Sequence, residues 1–336
     1  MPESVPAEPG QANPNPPAHG IQLAAGVDLG GTNIQVGIID TDGRVYGRAK
    51  TKTDPDAGFD GVVDRLIRVV GEACEDSGIG MDRISCLGVG TPGPVDPKTG
   101  VVLEAVNLRW DNAPLRDVLS KKTGLDVVVE NDVNAAVYGE WKRGAAKGAT
   151  DVLGVWVGTG VGGGLVLRGQ PFIGHFNSAG ELGHMILVPG AAPGSRSLEH
   201  NCSRTAVAQR ITQLVKANQK SSIAGIINEG KRIKSRVLAD AYRSGDDLVC
   251  EVINDSADRL GMAIGSIATL LSLEIVVLGG GLTEALGEPY VKRVRKAAIR
   301  EAFPSAVQAI QIVESELGDD AGIVGAGLEA MDYLGV

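Results

Sequence analysis

The sequence predicts an α/β protein of two domains, and three observations carry that prediction. The chain has 336 residues, against roughly 150 for a typical domain. A β-branched run, Val127-Val128-Val129, stops at Glu130-Asn131-Asp132 and passes into helix formers from Ala135 to Trp141, which reads as a buried strand feeding a helix. A strand–glycine turn–strand pattern at residues 23–51 recurs at 152–173, which reads as an internal structural repeat.

Composition narrows the class. Apolar residues make up 43% of the chain, enough for a sizeable core, and 47 glycines foretell tight turns and close backbone approaches. A net charge of -9 argues against a general nucleic-acid binder. Cys74, Cys86, Cys202 and Cys250 are scattered without CxxC spacing. That pattern points to a reduced, cytoplasmic protein rather than a disulfide scaffold or a cysteine-rich zinc site. Residues 1–20 are rich in Pro and small polar residues and read as a disordered tail. They lack a signal peptide's apolar core and are too short and Pro-rich for a helix-turn-helix. No stretch approaches the ~18 apolar residues of a membrane span.

The folded chain opens as a hairpin. Leu23 to Leu29 reads as a strand, Gly30-Gly31-Thr32-Asn33 as a tight turn, and Ile34 to Asp40 as the returning strand, with a third strand from Arg44 to Thr51. The two glycines let backbone N–H groups close on an anion, and Thr32 and Asn33 add side-chain donors. Asp28 sits in an otherwise apolar strand. A carboxylate there needs a partner, for which a phosphate-bound Mg²⁺ is suitable. Apolar spacing predicts a helix over 61–77 and a strand over 84–89, the latter running into the rigid loop Gly90-Thr91-Pro92-Gly93-Pro94-Val95-Asp96. A second helix, about Leu115 to Thr123, leads back to the corner at Asp132.

In the second half, Val152 to Val157 reads as a strand, Gly158 to Gly164 as a glycine turn, Leu165 to Arg168 as a returning strand and Pro171 to Ile173 as a short third strand. Residues 158–163 satisfy GxGxxG, but a dinucleotide site needs a helix directly afterwards, and Leu165-Val166-Leu167 prefer strand. No GxxxxGK[ST] is present, so there is no P-loop. Glu181 and His184 stand three apart. Helices are expected at about 205–218 and 290–302, and Gly279-Gly280-Gly281 ends the strand Ile275 to Leu278. That cluster suits either the flat face of a nucleobase or a plain turn. Two glycine hairpins, one in each half, suit a grip on a polyphosphate.

A carboxylate fixed at a strand end beside an amide can orient a hydroxyl and take its proton. Helix capping alone accounts for Asp132 equally well, since Asp and Asn favour N-caps. The ordered set of motifs separates these readings. Asp28 to Asn33, Thr91 to Asp96, Glu130-Asn131-Asp132, Gly158 to Gly164, Glu181 to His184, Leu198-Glu199 and Gly279 to Gly281 together resemble the ROK family of sugar kinases and sugar-responsive repressors.

The resemblance implies a ribonuclease H-like, actin/hexokinase-type fold, with mixed sheets flanked by helices and a ligand cleft between domains. The implied small domain is 21–133 plus about 319–336, and the large one 134–318. It implies Asp132 as general base on a hexose 6-hydroxyl. Gly93, Asn107, Asn131, Glu181, His184 and Glu199 would bind the sugar. Gly30, Gly31, Thr32 and Asn33, with Gly158, Thr159, Gly160, Gly162 and Gly163, would hold the ATP phosphates. Gly279 and Gly280 would flank the nucleoside, and Asp28 would orient Mg²⁺. The intact set Glu181, His184 and Glu199 suits glucose. Fructose, mannose, N-acetylglucosamine and N-acetylmannosamine are the alternative sugars, and polyphosphate the alternative donor. From other classes, the alternatives are a repressor or a non-catalytic sugar-binding protein. The implied partners are the sugar and ATP, with no nucleic acid or membrane, in a homodimer or larger homo-oligomer.

One departure stands out. Many members of the family bind a structural zinc through the histidine equivalent to His184 and three cysteines in a CxCGxxGCxE pattern. Here Gly190, Ala192 and Ser197 stand in the cysteine positions. Without thiolates a sulfur-rich tetrahedral site does not form, so no structural zinc is expected.

Overall fold

The computed structural model describes residues 20–336, so the expected tail falls, all but Gly20, outside the described residues. In chain order the strands are β1 (Leu23–Leu29), β2 (Asn33–Asp40), β3 (Val45–Lys52), β4 (Cys86–Thr91), β5 (Val95–Asp96), β6 (Val101–Ala105), β7 (Trp110–Ala113), β8 (Asp126–Asn131), β9 (Val152–Val157), β10 (Val161–Leu167), β11 (Gln170–Pro171), β12 (Ile275–Gly279) and β13 (Gln311–Glu314). The helices of the first half are α1 (Gly58–Ser77), α2 (Leu115–Thr123) and α3 (Asp132–Arg143). Those of the second half are α4 (Glu199–Cys202), α5 (Arg204–Lys216), α6 (Ala224–Asn228), α7 (Ser235–Arg243), α8 (Asp247–Leu271), α9 (Gly281–Leu286), α10 (Glu288–Glu301) and α11 (Ala321–Leu334).

The chain forms two compact units. The first holds the described residues up to Gly148, with Pro171–Ala179 and Glu316–Val336; the second holds Ala149–Gln170 and Gly180–Ser315. The sequence reading divided the chain at 133/134 and 318/319. The division instead follows α3, because α3 packs along α11 and both belong to the first unit.

The expected repeat is visible in the sheets. One has the order β3-β2-β1-β4-β8 and the other β11-β10-β9-β12-β13. In each, the central strand has an antiparallel hairpin partner on one side and parallel strands on the other. The central strands β1 and β9 are apolar runs buried along almost their whole length, as strands covered on both faces must be.

In the first unit, α11 lies across β1 and β4. Gly26 and Gly88 pair in register there. A Cβ on Gly26 would meet Ile323 O at 1.8 Å, and one on Gly88 would meet Ala326 O at 1.9 Å. Only a surface without side chains lets the helix backbone come this close. The apolar core on the other face is filled by Leu29, Ile34, Val36, Leu66, Val70, Leu87 and Leu119.

Three features depart from the sequence reading. The segment read as a glycine turn over 158–164 turns only at 158–160; Gly162, Gly163 and Gly164 lie inside β10. There Gly163 makes room for the Gly180–Leu182 segment, since a Cβ on it would meet Leu182 Cδ2 at 1.9 Å. The returning third strand is the two-residue β11, shorter than residues 171–173 suggested. The stretch 95–113 forms a small sheet of its own, β5-β6-β7, of which the sequence reading covered only residues 95–96, as the end of the Pro-Gly loop.

Candidate active site

The corner at Asp132 is built as β8 feeding α3, with Asn131 as the capping residue. Asn131 Oδ1 accepts from Val133 N at 3.0 Å and Asn134 N at 3.1 Å. Asp132 is the first helical residue, and its Oδ1 accepts from Val133 N at 2.9 Å. The helix therefore takes its cap from Asn131, and the capping account of Asp132 fails.

Asn131 Nδ2 donates to Gly93 O at 3.2 Å, which joins the Pro-Gly loop to the corner. Gly93 has φ +86°, and a Cβ there would meet Glu104 O at 1.8 Å, so the position requires glycine on both counts. Because Asn131 Oδ1 is committed to α3 and one Nδ2 hydrogen to Gly93, it keeps a single donor for any ligand.

Asp28, near the end of β1, is the electrostatic neighbour of Asp132. Burial, then the charge of Asp132, push its carboxyl up to about 7, against a smaller opposing pull from Lys50. Gly322 at the start of α11 packs directly on it, with a hypothetical Cβ 3.1 Å from Asp28 Cγ. A half-buried carboxyl that shares its surroundings with a second acid suits a divalent cation, which would favour the ionised form of both.

The first glycine turn is braced from below. Gly30 N donates to Asn33 O at 2.9 Å, Thr53 N to Thr32 O at 3.0 Å, and Thr53 Oγ1 to Gly30 O at 2.5 Å. Thr53 is fully buried and escaped the sequence reading. Asn107 is exposed and packs over the same turn, since a Cβ on Gly31 would meet its Cβ at 2.8 Å. The first unit thus gathers Asp28, Gly30 to Asn33, Gly93, Asn107, Asn131 and Asp132 at one end of its sheet.

The second unit gathers the rest. Glu199, at the start of α4, accepts from Val161 N at 3.0 Å through Oε2 and so sits on the second turn. Glu181 and His184 flank a single helical turn, with His184 Nε2 3.8 Å from Glu181 Oε2. Both side chains are open to solvent, so this pair adds little stability of its own. Gly279 and Gly280 close against β9: a Cβ on Gly279 would meet the Trp156 ring at 2.6 Å, and one on Gly280 would meet Val157 N at 2.7 Å. That places them beside the turn at 158–160. Gly162 and Gly163 do not join them there, being within β10.

Beyond Thr159 lies a cavity of about 500 Å³, lined by Thr159, Arg204, Thr205, Gln209, Lys231 and Arg232 among others. Arg204 Nη2 donates to Thr159 Oγ1 at 2.7 Å, and Thr205 Oγ1 to Thr159 O at 2.7 Å. Burial, then the nearby Arg232, lower the Arg204 pKa. Three cations with no acid in the lining suit a polyanion. The sequence reading missed these residues, though a signal exists. Arg204 follows the capping Ser203 in a first turn that has no acidic residue, the reverse of what a helix N-terminus favours.

The loop where family zinc cysteines would lie is held by hydrogen bonds instead. Ile186 and Ser197 form a bridge, Asn201 Nδ2 donates to Ser195 O and Ser197 O at 3.0 and 2.8 Å, and Ser197 Oγ lies 2.7 Å from His200 Nδ1. Cys202 is fully buried, its Sγ donates to Ser256 O at 3.4 Å, and burial pushes its thiol up to about 12. Such a thiol is a poor metal ligand. Among the described residues no group of three or more His, Cys, Asp and Glu is placed to hold a metal ion. Metal analysis of the purified protein should find no tightly held zinc; one equivalent would overturn this reading.

Two units of matching strand order, each carrying a glycine turn at the end of its central strand, define a protein of the actin-like ATPase fold to which hexokinases belong. The chain belongs to the ROK family, which it matches over residues 24–332. It is 32% identical to a glucokinase of Thermotoga maritima, across 92% of this chain and 98% of that one. Its structure resembles that of a ROK glucokinase from Streptomyces griseus in complex with glucose and AMPPNP. The TM-score is 0.81 and the identity 30%, covering 92% of this chain and 99% of that one. A xylose repressor of Caldicellulosiruptor bescii is 27% identical across 71% of this chain and 60% of the repressor. Among the described residues no helix is long and apolar enough to cross a membrane.

Proposed function

We propose that the protein is a hexose kinase that moves the γ-phosphoryl group of ATP to the 6-hydroxyl of a hexose, with glucose as the leading substrate. The observation that carries this reading is the Asp132 corner: a carboxylate at the first residue of α3, released from capping by Asn131 and set beside a second acid, Asp28. The likeness to two glucokinases, one of them with glucose and AMPPNP, supports the class.

Phosphoryl transfer needs positioning and charge neutralisation more than covalent help. When bound, the nucleotide supplies the phosphoryl group and its Mg²⁺ offsets the charge that group carries. Asp132 accepts the hydroxyl proton. Asn107, the remaining Asn131 donor and the Gly93 wall orient the sugar, and Glu181, His184 and Glu199 bind its other hydroxyls. Backbone N–H groups of Gly30 to Asn33 and of Gly158 to Gly160 hold phosphate oxygens, with Arg204, Lys231 and Arg232 as counter-charges. Gly279 and Gly280 lie against the nucleoside, and Asp28 orients the metal ion. Gly162 and Gly163 lie within β10, where Gly163 also makes room for Leu182.

An ADP-release assay with ATP and glucose, fructose, mannose, N-acetylglucosamine or N-acetylmannosamine tests this reading. Glucose is expected to give the highest kcat/KM. Turnover with none of the five would favour the sugar-responsive repressor reading, to which the xylose repressor likeness points. Preference for an N-acetyl sugar would keep the kinase and overturn glucose.

A further inference from the structure

The corner that carries Asp132 stands on a second carboxylate with no role so far. Glu130, in β8, turns Oε1 towards the start of α3 and accepts from Asn131 N at 2.7 Å and Asn134 Nδ2 at 3.0 Å. Asn131 in turn caps Val133 N and Asn134 N. The residues on both sides of Asp132 are therefore fixed by acceptors that lead back to Glu130.

A second acid lies behind it. Glu329 on α11 and Glu130 line the same cavity, of about 190 Å³, with Val129, Ile173, Arg116 and Tyr333 among its walls. Glu329 Oε2 is buried without a hydrogen-bond partner. Arg116 does not neutralise it: its guanidinium donates to Lys98 O at 2.9 Å and lies 3.5 Å from Asp117. Two carboxylates that share one cavity do not both ionise readily, and donors decide which of them keeps the charge. Glu130 has two donors and the Glu329 oxygen has none. Burial pushes both carboxyls up, and the charges of Glu130 and Asp332 push Glu329 well above the usual carboxylate range, while the Asn134 and Asn131 donors pull Glu130 back. Tyr138 on α3 is pushed up by burial and by its Asp332 neighbour, with a smaller push from Glu329.

We propose that Glu130 is a positioning residue for Asp132, holding the first turn of α3 as a hydrogen-bond acceptor, and that Glu329 carries the proton of the pair. The inference rests on the reading of Asp132 as the general base.

Steady-state kinetics with glucose and ATP test it. Loss of the acceptor displaces the base, so Glu130→Ala should lower kcat by about 10²-fold while KM for glucose stays within about threefold. Glu130→Gln still accepts through its amide oxygen and should restore most of kcat, a rescue that a merely space-filling role would not give. An equal loss in both variants overturns the positioning role. Should Glu130→Ala fail to fold, Glu130→Gln decides: kcat within about threefold of wild type supports the role, and a loss beyond about tenfold overturns it.

Glu329 has its own readout. A carboxyl whose folded pKa is raised contributes stability that is fully present below the unfolded value and is lost as pH rises through the folded one. The wild-type Tm should therefore fall as pH rises above the ordinary carboxylate range, and Glu329→Gln should flatten that fall. An unchanged slope overturns the assignment of the proton. Asp132→Asn is measured beside these variants. If it keeps turnover, the base reading has failed and this proposal with it. If it loses turnover while Glu130→Ala keeps it, only the positioning role has failed.

Discussion

Asp132→Asn is expected to lower kcat by about 10²–10⁴-fold, with glucose binding changed by no more than a few-fold. The substitution is nearly isosteric, and the cap of α3 is supplied by Asn131, so the helix start survives. What disappears is the negative oxygen that, under the proposed function, would receive the hydroxyl proton. An asparagine oxygen still accepts a hydrogen bond and so still orients the sugar, which separates turnover from binding. Removing this charge also removes one of the forces that raise Asp28, whose pKa should fall below its present value of about 7. Isothermal titration with glucose and an ADP-release assay on the same preparation check both halves. Turnover close to wild type would sink the assignment of the base.

Glu140→Ala is expected to cost the first unit on the order of 3 kcal/mol or more, because it strands several buried donors at once. Glu140 is fully buried in α3. Its Oε2 accepts from Ala145 N at 2.8 Å and Glu316 N at 3.2 Å, and its Oε1 from Leu317 N at 2.8 Å. These bonds shape the end of α3 and fasten the chain just before α11. A buried N–H left without an acceptor loses its water and gains nothing in exchange. At roughly 2–4 °C per kcal/mol for a unit of this size, the melting temperature should drop by roughly 6–12 °C. Thermal melts of the variant check this; a shift under about 2 °C would show that water or another side chain replaces the carboxylate.

Much of this was legible in the sequence, and the parts that were not share a cause. The corner at Asp132, both hairpins and the repeat were visible because short periodic runs ended in residues with one structural use. Glycine is the exception. At Gly30 and Gly31 it makes a turn, as read, but in Gly162-Gly163-Gly164 it is a strand cleared for a neighbouring segment, and a single sequence does not distinguish the two. The longest helix, α8, drew no expectation although Asp246 caps it and Gly261 and Gly265 stand four apart on the side that meets α10. Its apolar residues recur at helical spacing as clearly as those of α2, α3 and α5, so the signal was present in the sequence. Thr53, Glu140, Arg204 and Glu329 were missed, and Glu130 was read only as part of the corner, for a further reason. Their importance lies in what touches them, and their partners stand far off in the chain or on the backbone.

The discontinuous build of the first unit also constrains how the protein is made. The faces of β1 and β4 that carry Gly26 and Gly88 are covered by a helix encoded near the far end of the chain. During synthesis the early sheet leaves the ribosome long before its cover does, while most of the second unit comes out in one uninterrupted stretch. A stop codon that removed only the final twenty residues would therefore strip part of the first unit's interior rather than trim an appendage.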